Sequence, residues 1–263
     1  MTVAAKAVPA SEPEGIEPPD VSAIVTEDDT PVDNFASEKQ QRLLTEPLYT
    51  AWSGPPPDEE GKPRGFVAAA NVGLFATPKE PAIVPDAFLS LDVQLAEDLW
   101  KKENRTYFFW EMGKPPDVVI EVVSNREGNE LAGKLRRYAR MRITHYVVWD
   151  PQGIHGEPRL RVFELRGDLY MAMERPVFRS VGLGLVLWEG TYEGLQTVWL
   201  RWALPDGTLI PTGAERADAE RLRAEAEHTR AEAAQARAEA AQARAERLAE
   251  KLRAHGVDPN GDS

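Results

Sequence analysis

The stretch that most limits what this chain can fold into is residues 116–151, PDVVIEVVSNREGNELAGKLRRYARMRITHYVVWDP, which reads as strand, polar turn, helix, strand. PDVVIEVVS is a β-branched run opened by Pro-Asp, the composition of a strand buried on both faces. Glu121 stands at its centre, where an unpaired carboxylate would cost several kcal/mol or raise its own pKa. Such a group requires a partner, either a cation or a metal. The polar run 124–129 breaks the strand, and residues 130–141 have helical spacing. Leu131, Leu135 and Tyr138 fall on one stripe, and Lys134 lies on it too. A buried acid is thus followed by a lysine on the inward face of the next helix, and each anomaly offers to explain the other. Arg136, Arg137 and Arg140 fall to the sides, as solvated charge should.

The two ends of the chain differ from its middle. Before Phe35 there are eight acids against Lys6 alone, with many prolines and few large apolar residues. Residues 1–33 therefore read as a disordered acidic segment. Residues 34–212 read as the core domain, 213–254 as a heptad-repeat helix, and 255–263 as a disordered tail. The net charge of −12 gathers at the N-terminus, so net charge by itself does not argue for a nucleic-acid partner. No Cys is present, which excludes disulfides and thiolate metal sites. No apolar run approaches the roughly 18 residues of a membrane span, and no signal sequence opens the chain, so the expected location is cytoplasmic with no membrane contact.

Within the core, Asn34 or Ser37 caps a helix carrying Leu43, Leu44 and Leu48, which Pro47 should kink or end. Residues 65–77 and VPDAFLSLDV read as strands, and residues 95–102 as a short helix. Tyr107-Phe-Phe-Trp-Glu-Met is an aromatic patch, better explained as core or dimer contact than as a base-stacking platform. HYVVWDP is a buried strand. Two hairpins follow, one turning at Arg166-Gly-Asp and one, within residues 198–210, turning at Pro205-Asp-Gly. In the tail, Ala224, Ala231, Ala238, Ala245 and Leu252 share one heptad position, with Ala234, Ala241 and Leu248 three residues on. That seam is thin but favours self-association over a lone charged helix.

Divalent-metal nucleases need carboxylates converging from neighbouring strands to hold Mg²⁺, and a lysine near the attacking water. Asp86 in Val-Pro-Asp and Glu121 are the carboxylates that could meet, within roughly 4–6 Å, with Lys134 aimed at them. Asp117 shares a face with Glu121 but lies roughly 13 Å away. It is an auxiliary candidate, evenly matched by a strand-entry role.

With those residues, VPDAFL, PDVVIEVVS, GKLRRYA and HYVVWDP resemble the Uma-two family of restriction-endonuclease-like proteins, within the PD-(D/E)xK nuclease superfamily. The resemblance covers about residues 34–204. It implies an α/β restriction-endonuclease-like core, a mixed sheet flanked by helices, followed here by a long C-terminal helix or coiled coil. It also implies a homodimer and Mg²⁺-dependent cleavage of DNA, with Mn²⁺ able to substitute. Asp86 and Glu121 match the family's metal-binding carboxylates, Lys134 its helix-borne lysine, and Glu38 an auxiliary acid. The superfamily's strict motif puts the lysine two residues after the acid, where this chain has Val123. Two functions follow: a metal-dependent endonuclease, or a catalytically silent nuclease-like module that self-associates through its tail.

Overall fold

In the computed structural model of the chain, the described residues are 34–78, 80–101, 104–124 and 133–254. The expected disordered ends lie outside them, as do residues 125–129 of the expected polar turn at 124–129. The first helix, α1 (Phe35–Thr50), is capped by Asn34, whose side chain accepts from the Ser37 N–H at 2.9 Å. It does not end at Pro47. Leu44 and Leu48, on either side of that proline, are both in the core, and their burial offsets the roughly 3 kcal/mol cost of an interior proline.

A six-stranded mixed sheet forms the centre, in the order β1 (Phe66–Ala70), β3 (Ala87–Leu91), β5 (Val118–Val122), β6 (His145–Trp149), β7 (Leu160–Arg166) and β8 (Leu169–Ala172). Within this sheet only β5 and β6 run parallel, as a strand–helix–strand crossover requires. Both are buried at every position. The described part of the crossover helix is α3 (Leu135–Arg140), entered through Gly133 and Lys134; Leu131 lies outside the described residues.

The period of two divides each strand between two cores. Val118, Ile120 and Val122 face α1 and a second sheet of β9 (Val177–Phe178), β10 (Leu183–Tyr192) and β11 (Leu195–Ala203). Val119, Val123 and Glu121 face α3 and a small parallel pair, β2 (Leu74–Phe75) with β4 (Tyr107–Phe108). The edge of β11 is closed by Gln40, which donates to the Leu200 carbonyl at 2.8 Å and accepts from its N–H at 2.9 Å.

Three local expectations change. The strand expected over 65–77 divides at Asn71, whose φ of 54° turns the chain away so that β2 joins β4. Asn tolerates that conformation, and its side chain is held by Gln41. Residues 95–101 form no helix; Asp98 accepts from the Trp100 N–H instead, and Leu95, Leu99 and Trp100 stay largely exposed, lining an open hollow beside Val67, Phe88 and Tyr107. The turn at Pro205–Gly207 forms, but it leads to a single bridge between Ala203 and Leu209. The main partner of β11 is β10, over nine residue pairs. Of the aromatic patch, Tyr107 is core while Trp110, in the one-turn helix α2 (Phe109–Met112), is exposed.

The last helix, α4 (Gly213–Ala254), starts with a reciprocal cap: Thr212 Oγ1 accepts from the Glu215 N–H, and Glu215 accepts from the Thr212 N–H. It has no buried residue along its 42 positions.

Candidate active site

The antiparallel register of β3 and β5 pairs Ala87 with Ile120, so one further step sets Asp86 opposite Glu121. A hydrogen bond locks that step: the Val122 N–H donates to Asp86 Oδ2 at 2.7 Å. Because side chains alternate, both carboxylates face the side covered by α3. Lys134, at the start of that helix, donates to Glu121 Oε2 at 3.1 Å, and Tyr138 donates to Oε1 at 2.6 Å. Lys134 and Tyr138 are four residues apart, one helical turn, which lets both reach the same group. Gln41 of α1 donates to Asp86 Oδ1 at 2.9 Å. Arg137 anchors α3 to the approach to β3, through the carbonyls of Pro81 and Ala82.

Glu121 is 1% exposed, and burial is the main reason its carboxyl is raised from 4.5 to about 8. The neighbouring Asp86 adds to the rise, while Lys134 and Tyr138 oppose it. Asp86 is also raised, by loss of solvation, against the donors Val122 and Gln41. The structure therefore gathers Asp86, Glu121 and Lys134 at one place, with two carboxyls whose shared negative charge is unfavourable there.

It does not bring Asp117 or Glu38 to them. Asp117 accepts from the Leu91 N–H at 2.7 Å and from Lys114 at 2.6 Å, closing the far end of the β3–β5 pair. Glu38 is exposed and held by Arg42 through both carboxylate oxygens. The α1 side chain that reaches the site is Gln41, one turn further along. A readable signal existed for it: Ser37, Gln41, Leu44 and Leu48 follow the helical period, and a polar residue on a buried stripe needs a partner. Tyr138 was visible only as an apolar stripe residue. His145 is core, with its ring 4.7 Å from that of Phe178. His228 sits on the exposed helix beside Glu232.

The donor set suits a hard divalent cation. Each of the four carboxylate oxygens accepts from a protein donor, and a carboxylate oxygen can accept more than one such contact. Mg²⁺ is commonly held by one or two carboxylates, with water and substrate phosphate filling the other positions. Among the described residues no group of three or more Asp, Glu, His or Cys could hold a metal, and the two carboxyls that meet are Asp86 and Glu121. No helix among the described residues is long and apolar enough to cross a membrane.

No curated protein matches the chain. A family profile does, over residues 25–181, and its description is Uma2: Putative restriction endonuclease. The match includes α1, the whole Asp86–Glu121–Lys134 region and the six-stranded sheet, and it ends before β10. A mixed sheet flanked by helices agrees with the restriction-endonuclease-like architecture, and the match spans more than half of the sequence. The chain belongs to the Uma2 family.

Proposed function

We propose that the protein hydrolyses phosphodiester bonds of DNA with Mg²⁺, or Mn²⁺ in its place, at the Asp86–Glu121 pair. The observation that carries this reading is the pairing of two carboxyls across β3 and β5 with a lysine on the same oxygen set. Asp86 and Glu121 are the residues that would hold the ion. When bound, the ion supplies Lewis-acid stabilisation of charge on the phosphate and a more acidic water. Gln41 and the Val122 N–H fix the orientation of Asp86, and Tyr138 fixes that of Glu121, so the pair is positioned before substrate arrives. Lys134 is about a quarter exposed, so its ammonium can reach both Glu121 and an incoming phosphate. A homodimer is part of the proposal, with the cytoplasm as its place of action.

The test is incubation of the protein with supercoiled plasmid and with single-stranded DNA, with Mg²⁺, with Mn²⁺ and with EDTA. Metal-dependent nicking or linearisation is expected; its absence with both ions refutes the proposal. One observation favours a second reading. Glu121 already has a direct cation partner in Lys134, so the pair could be a structural ion pair in a silent module. Lys134→Ala separates the two. As a catalytic assistant, Lys134 should lower the cleavage rate by about 10²-fold with a smaller loss of metal affinity. As a structural partner only, its removal would lower the melting temperature and leave no activity to measure in either protein.

A further inference from the structure

We infer that α4 pairs with α4 of a second copy as a parallel, in-register two-stranded coiled coil, along the face of Leu222, Ala226, Thr229, Ala233, Ala236 and Ala243. The inference does not rest on the reading of the Asp86–Glu121 pair.

Two faces of α4 are rich in Ala, and charge separates them. The face of Ala224, Ala231 and Ala238 also carries Glu220 and Glu227 at core-type positions. The other face, with Ala219 and Ala226 at position a and Leu222 and Thr229 at position d, runs without a charge from Ala219 to Ala243. In that frame position g is Asp218, Glu225, Glu232, Glu239 and Glu246. Position e is Arg223, Arg230, Arg237, Arg244 and Lys251.

A parallel pair sets each g residue against the e residue five places later on its partner. Every such pair here is acid to base: Asp218 to Arg223, then Glu225 to Arg230, and so on to Glu246 and Lys251. An antiparallel arrangement would set acid against acid and base against base. Within one helix, residues five apart do not face each other. Accordingly, among the described residues, Arg223, Arg230, Arg237 and Arg244 enter no hydrogen bond or ion pair. Among the described residues, Glu239 and Glu246 accept only from Gln235 and Gln242 of their own helix. Leu222, the largest apolar residue of the seam, is 60% exposed in the single chain. A second copy covers that leucine and neutralises the arginines together. The small Ala core lets the two backbones approach closely, and it leaves orientation and register to the flanking charges. The seam ends where Arg247 and Glu250 take positions a and d.

The experiment uses the full chain in sedimentation equilibrium at low salt and at about 0.5 M salt. A mass of twice 29.2 kDa is expected at low salt, weakening with salt. Glu232→Lys with Glu239→Lys, and separately Arg237→Glu with Arg244→Glu, should each weaken association by about tenfold or more. Mixed together, these two variants should form a heterodimer, because every altered pair is again acid to base. The chain has no cysteine, so single substitutions report the face directly. Thr229→Cys and Ala243→Cys should both cross-link into dimers on oxidation. Ala231→Cys and Ala245→Cys, on the opposite face, should not. A full chain that stays monomeric at about 100 μM in low salt overturns the inference. So does cross-linking of the second Cys pair in preference to the first, or a failure of the mixed variants to associate.

Discussion

Glu121→Gln is expected to reduce Mg²⁺-dependent cleavage by at least about 10²–10³-fold, and to make the metal-free protein more stable at pH 8. The first effect follows from losing one of two carboxylate ligands. The second follows from proton linkage. In the folded state the Glu121 carboxyl is raised from 4.5 to about 8, so between those values the native protein holds a proton that the unfolded chain releases. The associated stability is fully present below about pH 4.5 and is lost as pH rises through about 8. Wild type without metal should lose a few kcal/mol across that window, and Glu121→Gln, which does not titrate, should lose much less. The two proteins should be similar near pH 5 and diverge above it. Mg²⁺ should then raise the melting temperature of wild type, as RT ln(1 + [L]/Kd), and leave the variant unmoved. The measurement is urea denaturation in EDTA at pH 5, 7 and 8.5, with thermal melts with and without Mg²⁺ at pH 8. A variant that melts well below wild type at pH 8, together with a wild type indifferent to Mg²⁺, would make Glu121 a structural partner of Lys134.

Ending the chain at Thr212 is expected to cost about 2–4 kcal/mol, whereas ending it at Glu220 should cost almost nothing. The sequence boundary at residue 213 suggests a tail that can be removed whole. The first turn of α4, however, is anchored in the core. Glu215 pairs with Arg201 through two hydrogen bonds of 2.9 and 2.6 Å. The Arg201 side chain is only 3% exposed, lies 4.7 Å over the Trp188 ring and also donates to the Ile210 carbonyl. Removing Glu215 leaves that guanidinium buried with no counter-charge, a larger loss than the pair itself contributes. The Gly213 N–H bound to Glu46, and Arg216 bound to the Thr50 carbonyl, tie the same turn to α1. Glu215 is partly exposed, so water and salt screen some of its effect, which sets the lower end of the range. Urea melts followed by tryptophan fluorescence, at low protein concentration, compare the two truncations with the full chain. Equal midpoints for all three would show that Arg201 finds its stabilisation elsewhere. Glu215→Ala in the full chain should reproduce most of the loss.

The sequence could show the elements whose pattern is local. A β-branched run opened by Pro-Asp can be little other than a buried strand, and β5 and β6 are buried throughout. Arg-Gly-Asp between alternating residues makes the β7–β8 turn, and an Ala-Glu-Arg repeat makes one helix from Gly213 to Ala254. Glu121 and Lys134 were also readable as a pair, because both break an apolar pattern and the intervening turn is short. What depended on distant pairing was not. Nothing near Asn71 says that β2 will leave β1 for β4, and β10 is interrupted by Gly184 and Gly190 until β11 supplies its partner. Glu38 and Gln41 are equally plausible polar residues on one helix, and only the packing of α1 against β1 and β11 decides that Gln41 meets Asp86 while Glu38 meets Arg42. Asp117 likewise has the right chemistry, but β-strand spacing places it at the other end of β5, where it holds Lys114 and Leu91. Composition and period determined which segments are strands or helices and which carboxylate is out of place. Tertiary structure decided which side chains complete the site, because burial raises the cost of an unpaired charge only where distant segments come together to exclude water.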